Sequence, residues 1–541
     1  MNLVTEGWVP VVRMDGKPDF ASLMQIFAEG DKFSDLSVRP HERVALMRLL
    51  ICIAQAALNG PKDKDDWKNA PDELLYEAKK YLEQWKGAFE LFDKEKPFLQ
   101  IAGLELLPKK KNKTTIEDGI DDDYGFTPLS KMDFAMATGA NSTLFDHVGG
   151  VNNDRNYSSR LMPVMLLTFL NYLPGGIMSA SKWGNVVDEG KSKDGKPTKG
   201  KTNGKDAPCS TKSMCHTFIR AENLFLTICC NLIPKSIVNR HYGRNNWGSP
   251  VWEKMPKKSN DTKAVENATK TYLGRLVPMS RWIKIIPEKG GMIWSAGKFI
   301  FPTFKDDFPR EPTATTVKNF DQTKRFILSA KHDKAIWREL SSIIVRGKND
   351  IGGPLAFENP LPKVNFDVHV CALIRSKASI EAVIESVYNV SLNMLSDDGR
   401  SLYEDEVLQA EKLTYRLGRA IETYRQNIDG YWDQRIKLAG KDSKVLRNKL
   451  HSKVTRAYWT MVEKQRHLLM ACIDAFGTDG LELARQAWNK ALHRAARDAY
   501  IAACGQETPR QIRAFALGWK KLFAEKKAED VNEEQNTDGG E

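Results

Sequence analysis

Apolar and polar positions fall into two textures along the chain, and the change comes near residue 400. Before it, short apolar runs are cut by Pro and Gly. "GWVPVV" (residues 7–12) and "RWIKIIP" (residues 281–287) are β-branched or aromatic and bounded by Gly or Pro, which predicts strands. "PHERVALMRLLICIAQAALNG" predicts a helix, with Pro40 in its first turn and Gly60 just past its end. "LMPVMLLTFLNYL" reads as a second buried helix. After Ser401 proline nearly vanishes and a helical period takes over. Four helices are predicted there, over residues 401–428, 442–473, 479–503 and 508–527. The last begins with Thr508 as cap, Pro509 at the first helical position and Gln511 to complete a capping box.

These elements define an α+β protein. A large irregular N-terminal domain of mixed helices and strands covers residues 1–388. A C-terminal four-helix bundle covers residues 389–526, because short connections between long amphipathic helices make antiparallel neighbours. Residues 527–541 form a polar acidic tail with too little apolar surface to fold. Two loops are expected to be mobile in isolation: the basic-to-acidic segment 109–125 and the Lys- and Gly-rich segment 187–208.

Composition narrows the class. The chain has 541 residues, 41% hydrophobic and 28% charged, as soluble globular proteins do. The apolar runs are too short to span a bilayer, and the N-terminus lacks a secretory pattern. Eight cysteines scattered through a chain of this size suit a reducing cytoplasm better than a disulfide framework. The formal net charge of +12 suits a polyanion partner or simply a basic surface.

No catalytic set assembles from the motifs. Phosphate-cradling and nucleophile-elbow patterns are absent. Cys209, Cys215 and His216 lack the spacing and the second pair of a zinc site. Asp121, Asp122 and Asp123, or His147, could serve a metal-dependent nuclease, which is the alternative class beside a basic RNA- or protein-binding scaffold, but three carboxylate neighbours on a polar loop point in different directions. The basic features carry more. Gly175 and Gly176 follow the apolar helix and let backbone approach another molecule without a Cβ clash; the alternative is a helix end followed by a turn. Lys182 follows within reach of the same loop. In the helical region Lys449, Lys453 and Arg456 recur at helical spacing, as do Lys490, Arg494 and Arg497, and each row could face phosphates or only solvent.

The order of several segments resembles a known family, the large (CasA) subunit of Cascade, the type I-E CRISPR surveillance complex. "NLVTEGWVPV" is similar to its opening strand, "RVALMRLLICIAQAAL" to its first long helix, and "KPFLQ" to the segment after it. "GANSTLFDH" is similar to a distinctive family loop, and "LPGG" to its glycine loop. "ENLFLTICCNL" and "SRWIKIIPE" resemble strands beyond, and "YWTMVE" and "AWNKALHRAA" the C-terminal bundle.

The resemblance implies a binding protein, not an enzyme, and no cofactor. It would work with a guide RNA, the other Cascade subunits, target double-stranded DNA and a separate helicase-nuclease. Its task would be to read a short protospacer-adjacent motif in the duplex and to start strand opening, while pairing with the guide reads the sequence. The resemblance places Gly175, Gly176 and a lysine (Lys182, with Lys298 and Lys305 as rivals) at the minor groove. It places Phe145, Asp146 and His147 at a loop touching guide RNA and motif. A wedge hairpin would carry Ser376, Lys377 and Ala378 at its tip, with Lys377 where the family has glutamine. The cysteine-ligated zinc knob of some members has no counterpart in the spacing here.

Overall fold

The computed structural model describes residues 1–107, 126–133, 157–191, 194–196, 200–259, 261–297, 311–318, 324–344, 352–360, 365–376, 379–428 and 440–523, with residues 379 and 440–449 described by their backbone alone. The chain divides into two compact units, Met1–Val390 and Ser391–Glu541.

The N-terminal unit is built around the Pro40–Ala57 helix, in which residues 41–55 are all buried. A helix apolar on every side belongs inside. It packs against the helices Lys64–Trp85, Met162–Tyr172 and Tyr272–Leu276 and the strand Phe366–Ser376. Pro40 opens it, as its missing N–H requires. It closes with Asn59 and Gly60 at positive φ (49° and 65°), and the Gly60 N–H donates to the Gln55 carbonyl at 2.8 Å. The few charges it carries inward are paired. Arg48 is fully buried: it donates to the carbonyls of Leu276 (3.0 Å) and Arg275 (2.5 Å) and to the Glu311 carboxylate. Arg275 Nε holds the second Glu311 oxygen at 3.1 Å.

Among the described residues the strands form four three-stranded and two two-stranded sheets. The two expected strands are present as Val9–Arg13 and Trp282–Ile286. A long antiparallel hairpin, Phe366–Ser376 with Ser379–Val390, packs its first strand beside Cys215–Arg220. Its ladder is regular until an irregularity between Ile374 and Arg375, just before the turn.

Two readings of the N-terminal region are corrected. "ENLFLTICCNL" is not a strand: Leu224–Cys230 is a helix, started by Asn223, whose side chain accepts from the Leu226 N–H at 2.9 Å. The end of the Lys-rich segment 187–208 is ordered too, because Lys201–Gly204 pairs with Gly176–Ser179. Thr202 and Gly204 face inward while Lys201 and Asn203 face out.

The C-terminal unit is helical. Its described helices are Asp397–Ile428, Gly440–Lys464, Arg466–Asp474, Leu481–Ala503 and Pro509–Phe523. The stretch expected as one helix over 442–473 is therefore two. At Gln465 the N–H reaches back only three residues, to Val462 (2.9 Å), and the α-helical ladder breaks. The 32-residue first helix packs against each of the other four. Gly518 lets the last helix close on it: a Cβ there would lie 2.6 Å from the Ala420 carbonyl oxygen. The capping box forms as its residues predict, with the Thr508 N–H donating to Gln511 Oε1 (2.9 Å) and the Gln511 N–H to Thr508 Oγ1 (3.2 Å).

Candidate nucleic-acid interface

The buried Met162–Tyr172 helix ends at Leu173, and the chain turns through Pro174 and Gly175 into the Gly176–Ser179 strand. The two glycines differ. A Cβ on Gly175 would lie 2.7 Å from the Gly204 carbonyl oxygen and 2.9 Å from the Asp206 nitrogen, so the protein's own backbone demands glycine. Gly176 has φ +153°, and a Cβ there would meet nothing within 4 Å. The open backbone is therefore at Gly176. The next side chain, Ile177, is 78% exposed, which places an apolar group on the open edge.

Behind this edge the loop is clamped. Arg281, buried, donates to the carbonyls of Lys205 (2.5 Å) and Leu173 (3.3 Å), one just after the Lys201–Gly204 strand and one at the end of the helix before Gly175. Burial lowers its pKa to about 10, with Asp206 pulling the other way. The Ala207 N–H donates to the Leu173 carbonyl at 2.9 Å. The Asp206 carboxylate accepts from the Gly175 N–H at 2.7 Å and pairs with Arg375, the last residue but one of its strand. Arg375 in turn holds the turn 208–213: its Nε donates to the Ser210 carbonyl (2.6 Å) and its backbone N–H to Ser213 Oγ (3.1 Å). That turn carries two consecutive non-glycine residues at positive φ, Lys212 (52°) and Ser213 (51°), with Lys212 exposed. Such conformations persist only where surroundings hold them. Ser376 follows Arg375, exposed at the base of the hairpin turn.

Lys182 lies on a neighbouring strand, Ser181–Trp183, opposite Glu105. Its Nζ is 3.5 Å from that carboxylate, with the two side chains 40% and 62% exposed. A pair so wet holds its lysine weakly, by about 0–1 kcal/mol. In the C-terminal unit Lys453, Arg456, Lys490, Arg494 and Arg497 are all exposed, and Lys449 falls on the same helix as the first two. Asp498 lies 2.9 Å from Arg497 and 3.7 Å from Arg494. Phe145, Asp146, His147, Lys377, Ala378, Lys298, Lys305 and the carboxylates Asp121, Asp122 and Asp123 lie outside the described residues.

The cysteines, and the histidine at 216 beside Cys215, are interior groups. All eight cysteines are free, seven of them buried and Cys230 half-buried. Cys215 and His216 are neighbours on a strand and point to opposite faces. His216 Nδ1 faces Thr313 Oγ1 (2.8 Å) and Nε2 faces the Cys209 carbonyl (3.3 Å). Desolvation, helped by nearby Arg48, lowers its pKa to about 4. Among the described residues His369, Cys371 and Glu385 bring three potential metal donors within 4.8 Å. The Glu385 oxygen that accepts from His369 (2.6 Å) also accepts from Arg43 Nε (3.0 Å), so a guanidinium already supplies the positive charge there.

Residues 173–176 and 204–207 and the hairpin base thus form one connected edge. Local sequence signals located its glycines but not Asp206, Arg281 or Arg375.

The whole fold has solved counterparts. CasA of Thermus thermophilus superimposes with a TM-score of 0.72 at 20% identity, covering 96% of this chain and 98% of that one. Cse1 of Thermobifida fusca gives 0.73 at 19% identity with the same coverage. A chain of a solved CRISPR RNA-guided surveillance complex gives 0.70 at 15% identity, over 97% of this chain and 99% of that one. In sequence, the CRISPR-associated protein CasA/Cse1 of Thermus thermophilus is 22% identical over 451 residues, 79% of this chain and 77% of the relative. The architecture is that of the CRISPR-associated CasA/Cse1 proteins. The family model of CRISPR-associated protein Cse1 matches residues 2–499, and the chain belongs to that family.

Proposed function

We propose that this protein is the duplex-reading large subunit of a type I-E CRISPR surveillance complex. It binds target DNA at a short protospacer-adjacent motif, begins strand separation for guide-RNA pairing, and helps recruit a separate helicase-nuclease. It is not itself an enzyme. It works in the cytoplasm with guide RNA and the other complex subunits. Membership of the Cse1 family and the fold shared with a chain of an RNA-guided surveillance complex support this reading.

The single observation that carries it is the open backbone at Gly176, beside exposed Ile177 and clamped from behind by Arg281. A rigid edge free of side chain suits the narrow minor groove, whose degenerate acceptor pattern suits a tolerant reader. An apolar group next to it is the kind that minor-groove proteins press against base steps. The hairpin whose first strand ends at Ser376 would supply the wedge, and the exposed cations of the C-terminal helices would hold phosphates of the duplex and the displaced strand.

The test is duplex binding by the guide-loaded complex, with and without this subunit, on targets that differ only in the motif, at two salt concentrations. Added affinity confined to the correct motif supports the reading. Equal, salt-sensitive affinity for every duplex would make the protein a basic scaffold.

A further inference from the structure

The glycine edge and the hairpin are distant in sequence, yet one carboxylate holds both. Asp206 Oδ1 accepts from the Gly175 N–H at 2.7 Å, and Oδ2 pairs with Arg375. Gly175 and Arg375 belong to separate elements: one immediately precedes the Gly176–Ser179 strand, the other is the last residue but one of the Phe366–Ser376 strand. The strand ladder slips between Ile374 and Arg375 and resumes with Arg375 opposite Ile380 and Ser376 opposite Ser379, so the hairpin bends at Arg375. Contacts from Arg375 brace that bend from outside the sheet. Besides Asp206 they reach the Ser210 carbonyl and Ser213 Oγ, across a turn with two strained residues. The side chain is 11% exposed, and that of Asp206 26%.

We infer that Asp206 and Arg375 are positioning residues that couple the glycine edge to the Ser376 end of the hairpin strand, so that motif contact at the edge and strand opening beside Ser376 are set by one link. This rests on the reading of the edge and the hairpin as the DNA-facing elements. Neither residue is placed against DNA; each acts through the backbone it holds. A charged hydrogen bond shared between two segments transmits displacement of one to the other, because its strength depends on their separation.

The experiment uses the complete guide-loaded complex carrying Asp206→Asn, Arg375→Gln or both. Two properties are measured on duplexes with correct and incorrect motifs: affinity, and opening of the first target base pairs by 2-aminopurine fluorescence. Each single variant is expected to lower the affinity ratio between correct and incorrect motif about tenfold and to slow opening by a similar factor. The double variant is expected to be no worse than the worse single one, since both remove the same link. A target already unpaired at those positions should restore normal pairing in all three. Losses that multiply in the double variant, or an Asp206→Asn effect on motif discrimination with opening untouched, would overturn the coupling. So would an equal fall on both duplexes accompanied by lower thermal stability, which is the signature of a merely structural pair.

A second readout does not depend on DNA. In the lone subunit, Asp206→Asn should speed hydrogen exchange both at residues 175–178 and at 374–380, and Arg375→Gln should speed it at 175–178. If the wild-type complex ignores the motif, the functional reading fails, while the exchange pattern still decides whether the link exists.

Discussion

Arg48 and Glu311 lie 263 positions apart and meet as an ion pair with the arginine wholly out of water. Arg275 closes the group from the other side. The carboxylate is desolvated, yet the two guanidinium groups hold its pKa below the ordinary value. Removing one member of such a group strands the others, at a cost of about 3–5 kcal/mol. Glu311→Ala should therefore destabilise the N-terminal unit by that much in urea unfolding. A loss under about 1 kcal/mol would show that water or rearrangement replaces the pair.

Two buried histidines set an acid limit on stability. Desolvation lowers His216 to about 4 and His41 to about 3, the latter with Arg39 adding to the effect. In the unfolded chain both protonate near 6.5. Between the unfolded and folded values the unfolded state binds more protons, so stability falls as pH drops from about 6.5 towards 4. Each histidine contributes up to about 1.4 kcal/mol per pH unit. Around His216 stand Thr313, Cys209, Arg48, Glu311 and Tyr172. His216→Gln should flatten the dependence of stability on pH by about one proton; an unchanged slope would mean His216 titrates freely.

The paired glycines separate folding from binding. Gly175→Ala drives a Cβ into backbone and should lower the melting temperature, with binding lost in proportion. Gly176→Ala meets open space and bears only the cost of its φ, about 1–3 kcal/mol. It should weaken motif-dependent duplex binding by more than its stability loss explains. Comparing melting temperature with affinity for each variant checks this, and equal ratios for the two would remove Gly176 from the interface.

Lys453 and Arg456 are one turn apart and exposed. If both meet phosphates, replacing both with Ala should reduce the slope of log affinity against log salt by about 2. Stability should stay within about 0.5 kcal/mol. A parallel line at lower affinity would point to lost packing instead.

Thr508→Ala deletes the cap of the last helix and should cost the C-terminal unit about 1 kcal/mol. Thermal unfolding measures it, and Thr508→Ser should restore most of the loss.

What the sequence made legible was local. The Thr508–Gln511 box and the Pro40–Gly60 boundaries are written within a few residues of where they act. Leu224–Cys230 was misread because a short apolar run suits a strand or a helix, and only the Asn223 cap decides between them. Lys201–Gly204 has poor strand propensity and is a strand because Gly176–Ser179 offers it a ladder. The glycine pair was visible, but which glycine is open depends on Gly204 and Asp206 crossing behind. Arg375 and Asp206, 169 positions apart, carry no mark that would have joined them.

The interior thiols have a practical consequence. Burial raises Cys215 to about 12 and Cys472 and even half-buried Cys230 to about 11, so almost no thiolate exists at neutral pH. A cysteine placed at exposed Ser376 would stand alone as a reactive handle. One maleimide dye could then sit at the hairpin base and report its approach to DNA in real time, with every native cysteine left in place.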